Sequence, residues 1–396
     1  MRTDHSDIDI CVVGGAGHVG LPLAIVFADR GARVMIYDIN DAALETIRAG
    51  QLPFMEKGAE PILRRVLDSG RLLLSSSPES VRSARSIIIT IGTPVDEFLN
   101  PVQRLIRECL DELLPYMSAD ALIVLRSTVY PGTTEWLGKQ LHVEEKHLLL
   151  SFCPERIVQG RAIEELQTLP QIVSGTSPEA EEKARELFEI ISPEIITVKP
   201  IEAEFAKLFN NAYRYIQFAA TNQFYMIAHT AGVDYHRVVE CMKHNYARAA
   251  DFPGPGFAAG PCLFKDTMQL AAFSANQFSL GNASMLINEG LVMYVVDDMC
   301  RGRDLSDKTV GLLGMAFKAN IDDPRSSLSY KLKKMLSFRA GTVLTTDPYV
   351  KRDADLLPLE EVIECSDILV LCVPHADYKK LDVGDAEVVD IWGFLE

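Results

Sequence analysis

Three things are scarce or missing in this sequence, and each absence removes a class of function. No stretch of the 396 residues reaches the roughly 18 consecutive apolar residues that cross a bilayer, which excludes a membrane-spanning chain. The eight cysteines (Cys11, Cys109, Cys153, Cys241, Cys262, Cys300, Cys365 and Cys372) show no paired spacing of the zinc-ribbon or thioredoxin kind. That pattern argues against a metal site or disulfide framework and for a reduced, cytoplasmic protein. Basic residues are outnumbered, 39 against 55 acidic, and the net charge of −16 repels nucleic acid and anionic membranes as partners. A local basic cleft for a small phosphate-bearing molecule is still allowed. The segment Met1–Asp7 is polar and runs straight into a strand-like stretch, so no signal peptide is expected. No long linker, sequence repeat or low-complexity tract interrupts the chain.

What is present is alternation. With 48% hydrophobic and 24% charged residues the composition is that of a globular protein, and the length implies two or three domains. Short apolar runs separated by amphipathic stretches predict strands at Ile8–Val13, Arg33–Tyr37, Ser86–Ile91, Ala121–Arg126, His147–Ser151 and Gln171–Ser174, a parallel α/β sheet. Between about Ile201 and Met299 strands stop, and Phe205, Leu208, Phe209, Ala212 and Ile216 recur at helical spacing. Strands at Thr309–Leu313, Gly341–Thr345, Ile368–Val373 and Val388–Ile391, with helices at Leu328–Ser337 and Leu359–Cys365, form a second, smaller block. The expected fold is therefore α/β, with a Rossmann domain over 1–198, a helical segment over 199–300 and a Rossmann-like domain over 301–396.

Directly after the first strand stands Gly15-x-Gly17-x-x-Gly20. In such a turn the first glycine permits the bend, the second admits a pyrophosphate to the backbone, and the third lets helix and strand approach. Asp38 closes the next strand, where a carboxylate meets ribose hydroxyls and repels a 2′-phosphate, so NAD is expected over NADP. An ordinary βα turn capped by Asp38, or a FAD site, are the competing readings.

Downstream, Phe252-Pro-Gly-Pro-Gly-Phe-Ala-Ala-Gly-Pro-Cys-Leu-Phe-Lys-Asp places Cys262 behind a glycine-rich loop and ahead of Lys265 and Asp266. A nearby ammonium favours the thiolate, so Cys262 is a candidate nucleophile, the alternative being a small buried hydrophobe. A nucleophilic thiol beside a nicotinamide suggests oxidation beyond the aldehyde, through a thiohemiacetal and a thioester. Lys207, Asn211 and Arg214 share one helix face opposite the apolar set. They form either a solvated face or, for Lys207 and Asn211, a holder for an oxyanion or a catalytic water.

Together these stretches resemble the nucleotide-sugar 6-dehydrogenases, which include UDP-glucose and UDP-N-acetylhexosamine dehydrogenases. The resemblance spans nearly the whole chain and rests on Gly15-Ala-Gly-His-Val-Gly-Leu-Pro, Gly92-Thr-Pro, Ser127-Thr-Val-Tyr-Pro-Gly-Thr-Thr, Cys153-Pro-Glu-Arg, Glu204-Phe-Ala-Lys-Leu-Phe-Asn-Asn, Gly260-Pro-Cys-Leu-Phe-Lys-Asp and Gly314-Met-Ala-Phe-Lys-Ala-Asn-Ile-Asp-Asp-Pro-Arg-Ser-Ser. It implies an NAD domain, a long central helix that builds a homodimer, a C-terminal domain that holds a UDP-sugar, and a place in polysaccharide biosynthesis. It further implies that Cys262 is the covalent nucleophile, that Lys207 and Asn211 stabilise the oxyanion and position water, and that Asp266 supports them. Thr128 and Glu155 would handle protons and hydrolysis. Gly15, Gly17, His18, Val19, Asp38, Gly92, Thr93, Pro94, Thr128 and Lys265 fall at the cofactor. Glu155, Arg156, Lys207, Phe257, Gly260, Lys318 and Arg325 fall at the substrate, with Arg248 reaching the substrate of the partner subunit. No metal is implied.

The chain departs from the family in Phe264, where many relatives have proline, and in Ala259-Gly-Pro, where many have Gly-Gly; it also ends soon after Val388-Val-Asp-Ile-Trp-Gly. Cys153-Pro-Glu-Arg resembles the N-acetylhexosamine enzymes, whereas UDP-glucose enzymes more often show Asn-Pro-Glu-Phe. UDP-GlcNAc or UDP-ManNAc is the favoured substrate and UDP-glucose the alternative. A two-electron 3-hydroxyacid-type dehydrogenase, which has no use for Cys262, and an inactive nucleotide-sugar binding homologue complete the alternatives.

Overall fold

The computed structural model describes residues 8–97, 102, 104–143 and 147–395. The polar Met1–Asp7, on which the expectation about a signal peptide rests, lies outside the described residues. The chain forms two compact units, Met1–Phe209 and Asn210–Glu396.

In the first unit, β1 (Ile8–Val13), β2 (Val34–Tyr37), β3 (Leu72–Ser75), β4 (Ala84–Ile89), β5 (Leu122–Leu125) and β6 (Leu149–Phe152) form one parallel sheet in the order β3-β2-β1-β4-β5-β6. The helices between them are α1 (Gly20–Asp29), α2 (Asp41–Arg48), α3 (Ala59–Asp68), α4 (Arg104–Leu113) and α5 (Thr133–Gln140), followed by α6 (Ala162–Thr168) and α7 (Pro178–Glu189). This is the doubly wound order, and its strand sequences are apolar on both faces because helices cover both. Alternate residues serve opposite layers. Ile10, Val12, Val34 and Ile36 pack with α1 and α3, whereas Cys11, Val13, Met35 and Tyr37 join Ile87, Ile89 and the apolar side of α4. Helix α1, Gly-Leu-Pro-Leu-Ala-Ile-Val-Phe-Ala, is buried along all of Gly20–Ala28, which explains why it carries no polar face.

The expected strand Gln171–Ser174 exists as β7 (Gln171–Val173) but does not join the large sheet. It pairs in parallel with β8 (Ile195–Thr197) in a separate two-stranded sheet. Strands β3 and β8 are additions to the sequence-based reading; Leu72-Leu-Leu offers neither alternation nor β-branching as a signal.

Helix α8 (Pro200–Thr230) is 31 residues long. Its faces differ from the expected amphipathic division: Leu208 and Ala212 are buried as anticipated, but Asn211 is buried too, and Phe209 is 57% exposed. The second unit continues with α9 (Tyr235–Lys243), α10 (Leu263–Phe273) and α11 (Ser279–Met299). Its parallel sheet, β10-β9-β11-β12, is built from β9 (Thr309–Leu313), β10 (Thr342–Thr346), β11 (Ile368–Leu371) and β12 (Glu387–Val389), with α12 (Leu328–Leu336) and α13 (Leu359–Cys365). Leu291, Val292, Val295 and Val296 of α11 pack with Val310, Leu312, Leu332 and Val370 in its core. Strand order reverses between β1 and β4 in one unit and between β9 and β11 in the other, so each sheet has a switch point beyond its strand ends where ligands settle. Among the described residues no helix is long and apolar enough to cross a membrane.

A Cβ on Gly20 would stand 2.7 Å from the Gly14 carbonyl, the Gly15 Cα and the Thr90 hydroxyl. Backbone has to move to admit it, so Gly20→Ala is expected to cost about 1–3 kcal/mol in urea unfolding. Gly138→Ala, inside α5 with its nearest neighbour 3.9 Å away, is expected to add about 0.5–1 kcal/mol in the same assay.

Candidate active site

In the first unit the turn after β1 is fixed at several points. The Tyr37 carbonyl accepts from the Gly14 and Gly15 amides at 2.9 and 3.3 Å, and the Gly17 amide donates to the Gly14 carbonyl. The left-handed residue is Gly14, with φ +72°, rather than Gly15. Gly15 is needed for a different reason: a Cβ there would meet the Val12 carbonyl at 2.6 Å and Ile36 at 2.9 Å. Gly20 closes the turn against the same backbone, as expected. The α1 N-terminus begins at Val19 with no side-chain cap, which leaves its amides for an anionic ligand. The Thr90 hydroxyl, 2.7 Å from the Val13 carbonyl, braces the turn from β4.

Asp38 stands at the end of β2 with one oxygen 2.9 Å from the Ala16 amide and the other accepting from the Asn40 amide at 3.0 Å. A glycine cradle, uncapped helix amides and a carboxylate on its rim fit a dinucleotide without a 2′-phosphate. His18 lies 3.0 Å from Gln159 and packs against Phe54, the rings tilted at 38° with centroids 4.0 Å apart. Gly92, Thr93 and Pro94 follow β4. The Thr93 hydroxyl donates to the Thr128 carbonyl at 2.7 Å, and that of Ser127 to Ile91 at 2.6 Å, lacing together the loops after β4 and β5.

Glu155 does not face an open substrate cleft. It is buried, with one oxygen bound by Arg126 at 2.5 and 3.1 Å and the other accepting from the Arg156 and Ile157 amides. Arg126, fully buried at the end of β5, also donates to the Cys153 carbonyl and to Gln171 and stacks on Phe188. Arg156 instead donates to the Pro170 carbonyl, and burial lowers its pKa. The same loop is tied further along by Glu56, which accepts from the Gly160 and Ala162 amides at 2.9 and 2.7 Å. Lys207 is half-buried on α8, one turn beyond Glu204. The Glu204 carboxylate caps α5 through Gly132 and Thr134, and burial raises its pKa against those hydrogen bonds.

The second unit gathers Asn211, Cys262, Lys265, Asp266 and Arg325. Asn211 donates to Asp266 at 2.5 Å, and the Lys265 ammonium is 3.4 Å from the other Asp266 oxygen. Asp266 is fully buried; Cys262 is exposed at the N-terminus of α10, where the helix dipole favours an anion. Arg325 pairs with buried Asp323 at 2.6 Å; that hydrogen bond chiefly raises its pKa against burial, with smaller contributions from the Asp323 and Cys262 charges. Gly260, at φ +105°, has the Phe317 ring where a Cβ would stand and donates to the Ser326 carbonyl at 3.2 Å. Phe257 is buried, Lys318 half-buried in the loop after β9, and Arg248 exposed.

Sequence reading missed Arg126, Glu56, Thr90 and a second carboxylate, Asp347. Asp347 ends β10 as Asp38 ends β2 and accepts from the Met315 and Ala316 amides at 2.6 and 2.9 Å and from the Tyr349 and Val350 amides. Buried His375 stands 3.1 Å from it and accepts from the Asn320 amide. An arginine directly after Leu122-Ile-Val-Leu, and Thr-Thr-Asp repeating the strand ending of Ile-Tyr-Asp38, were the available signals.

Family models cover most of the chain: the NAD binding domain of the UDP-glucose/GDP-mannose dehydrogenase family matches residues 8–192, its central domain 201–289 and its UDP binding domain 311–395. The chain belongs to the UDP-glucose/GDP-mannose dehydrogenase family. Like its family, it is an NAD-dependent oxidoreductase acting on a nucleotide sugar. The UDP-N-acetyl-D-mannosamine dehydrogenase of Pyrococcus horikoshii is 29% identical over 382 residues, covering 93% of this chain and 90% of that one. A solved structure of the UDP-D-ManNAc dehydrogenase from that organism superposes with a TM-score of 0.91 at 26% identity, over 98% of this chain and 96% of that one. A UDP-glucose dehydrogenase from Pyrobaculum islandicum does so with a TM-score of 0.89 at 26% identity, over 100% and 96%.

In this dehydrogenase, Arg126→Met strands the buried Glu155 charge and is expected to cost about 3–5 kcal/mol, with Glu155→Leu recovering part of it in the double variant. For Asp347, burial opposes ionisation, but the His375 contact and the backbone amides win and bring its pKa from 3.8 to about 2. A depressed carboxylate stabilises the fold above its unfolded pKa and stops doing so as pH falls through the folded value. Acid titration of unfolding should therefore show the wild type losing about 2 kcal/mol of its advantage over Asp347→Asn between pH 4 and pH 2.

Proposed function

We propose that the substrate is a UDP-N-acetylhexosamine, UDP-ManNAc ahead of UDP-GlcNAc, and that its C6 hydroxymethyl is oxidised twice, to the carboxylate. One observation carries the reading: an exposed thiol at a helix N-terminus, four residues ahead of a buried carboxylate that holds both an ammonium and an amide. The sugar preference is supported by Cys153-Pro-Glu-Arg and by the likeness to the UDP-N-acetyl-D-mannosamine dehydrogenase of Pyrococcus horikoshii.

Gly15, Gly17, His18, Val19, Asp38, Gly92, Thr93, Pro94, Thr128 and Lys265 would hold NAD, which would supply an acceptor for each hydride. The Cys262 thiolate adds to the C6 aldehyde, giving a thiohemiacetal whose oxyanion Lys207 and Asn211 stabilise. Loss of the second hydride leaves a thioester. Water, positioned by Asn211 and Asp266, attacks that thioester and frees the thiol. Alcohol, two NAD⁺ and one water thus become carboxylate, two NADH and three protons. Asp266 orients the Asn211 amide through its 2.5 Å hydrogen bond. Thr128 assists proton transfer. Glu155 serves the substrate by shaping the loop that bears Arg156, since Arg126 and two amides already occupy its oxygens.

Phe257, Gly260, Lys318 and Arg325 hold the UDP-sugar. This reading keeps three functional regions, 1–198 for NAD, 199–300 for dimerisation and the Asn211 and Cys262 groups, and 301–396 for UDP. The protein acts as a cytoplasmic homodimer in polysaccharide biosynthesis. The dimer is supported by Tyr213, Phe224 and Ile227, exposed by 63, 48 and 59% along one α8 stripe, and the exposed Arg248 completes the partner subunit's site.

The wild type should release two NADH per UDP-ManNAc consumed, measured at 340 nm against the product carboxylate, and Cys262→Ser should lose at least about 100-fold in kcat without losing NADH binding. One NADH per sugar, unchanged by the substitution, overturns the thioester route in favour of a two-electron dehydrogenase. Preference for UDP-glucose in a panel with UDP-ManNAc and UDP-GlcNAc overturns the sugar assignment. Ile227→Asp is expected to convert the dimer to a monomer in light scattering.

A further inference from the structure

The loop before Cys262 is attached to α8 by a pair of hydrogen bonds that no catalytic role explains. The Gly256 amide donates to Asn222 Oδ1 at 2.8 Å, and Asn222 Nδ2 donates back to the Gly256 carbonyl at 3.0 Å. Asn222 is fully buried, and its remaining amide hydrogen reaches Asn288 Oδ1 at 3.0 Å. Asn288, also fully buried, is oriented in turn by its own donation to the Tyr215 carbonyl at 2.9 Å. Every donor and acceptor of the Asn222 side chain in this cluster is matched, as a buried polar group requires.

Neighbouring contacts extend the attachment. Thr221 donates to the Pro253 carbonyl at 3.0 Å, and Trp392 fills the space where Gly256, at φ +150°, would carry a Cβ. Gly260 is fixed by the Ser326 carbonyl four residues later, and Cys262 follows two residues on. A segment rich in glycine and proline has no ladder of its own to hold it. Its backbone is held at Pro253, Gly256 and Gly260 from outside.

We propose that Asn222 is a positioning residue for the reaction: its two-point grip on Gly256 sets where the Cys262 loop stands, and so where the thiol meets the substrate. The proposal rests on the reading of Cys262 as nucleophile. Asn222 touches no reacting atom in it; it acts through the loop.

The test uses the full-length enzyme with UDP-ManNAc and NAD. Asn222→Ala removes both hydrogen bonds, while Asn222→Asp keeps the shape but turns an oxygen toward the Gly256 carbonyl and Asn288 Oδ1. Each is expected to lower kcat by roughly 10- to 100-fold with the KM for NAD unchanged, since a misplacement of about 1 Å at the reacting group is enough for that. Amide exchange over residues 252–260 is expected to accelerate, with exchange in β9 unaltered. Leu332→Ala, a core truncation in α12, provides a stability control and is expected to keep its kcat. The proposal is overturned if a folded Asn222 variant keeps wild-type kcat, or loses it only in proportion to Leu332→Ala. A wild type that oxidises no UDP-sugar sinks the proposed function instead, and unaltered exchange over 252–260 would then overturn the grip by itself.

Discussion

A carboxylate that ends one strand and accepts an amide hydrogen bond from the turn leaving its neighbour occurs in both units. Asp38 does this for Ala16, and Asp347 for Met315 and Ala316. In a doubly wound sheet the turn beyond the first strand must stay tight enough for ligand to reach its backbone, yet it lies past the last rung of the ladder. A fixed negative charge at the end of the adjacent strand supplies the missing acceptor. Gly14 and Gly314, at φ +72° and +96°, make the accompanying bends. The two halves of the molecule therefore solve one problem with the same residue types, although no sequence repeat links them.

Much of this was legible in the chain, and the limits have physical causes. Strand β9 and helix α13 were placed to the residue because Lys308 and Gly314 bound the apolar run of the one, and Pro358 and Ser366 bracket the other. The glycine turn was found, but its left-handed position fell one residue early, since Gly14 and Gly15 are indistinguishable by type and differ only in what surrounds them. β7 read as a member of the large sheet because pattern reports a strand and not its partner. The thiol, carboxylate and ammonium around Cys262 were anticipated as neighbours by their adjacency in sequence. Arg126 was not, because its partners lie 27 to 45 residues away and long-range pairing leaves no periodicity to detect.

Buried polar side chains fasten the loops that the sheets leave behind. Glu56 caps α6, Glu204 caps α5, Arg126 with Glu155 ties the loop after β6, and Asn222 with Asn288 grips the loop before α10. Each satisfies backbone groups that would otherwise lack partners, and each replaces flexibility with a defined geometry. Ordered loops on such fasteners suit the covalent chemistry proposed above for Cys262.

The length of α8 has an implication for how this lineage can change. A regular helix advances about 100° per residue, so the 11 residues from Asn211 to Asn222 complete about three turns and leave the two within roughly 20° of the same meridian. Adding or deleting one residue in that span would swing every later group a quarter-turn or more out of phase. Indels should therefore accumulate in the surface loops of homologues and be purged from this helix, whose residue count serves as a fixed ruler.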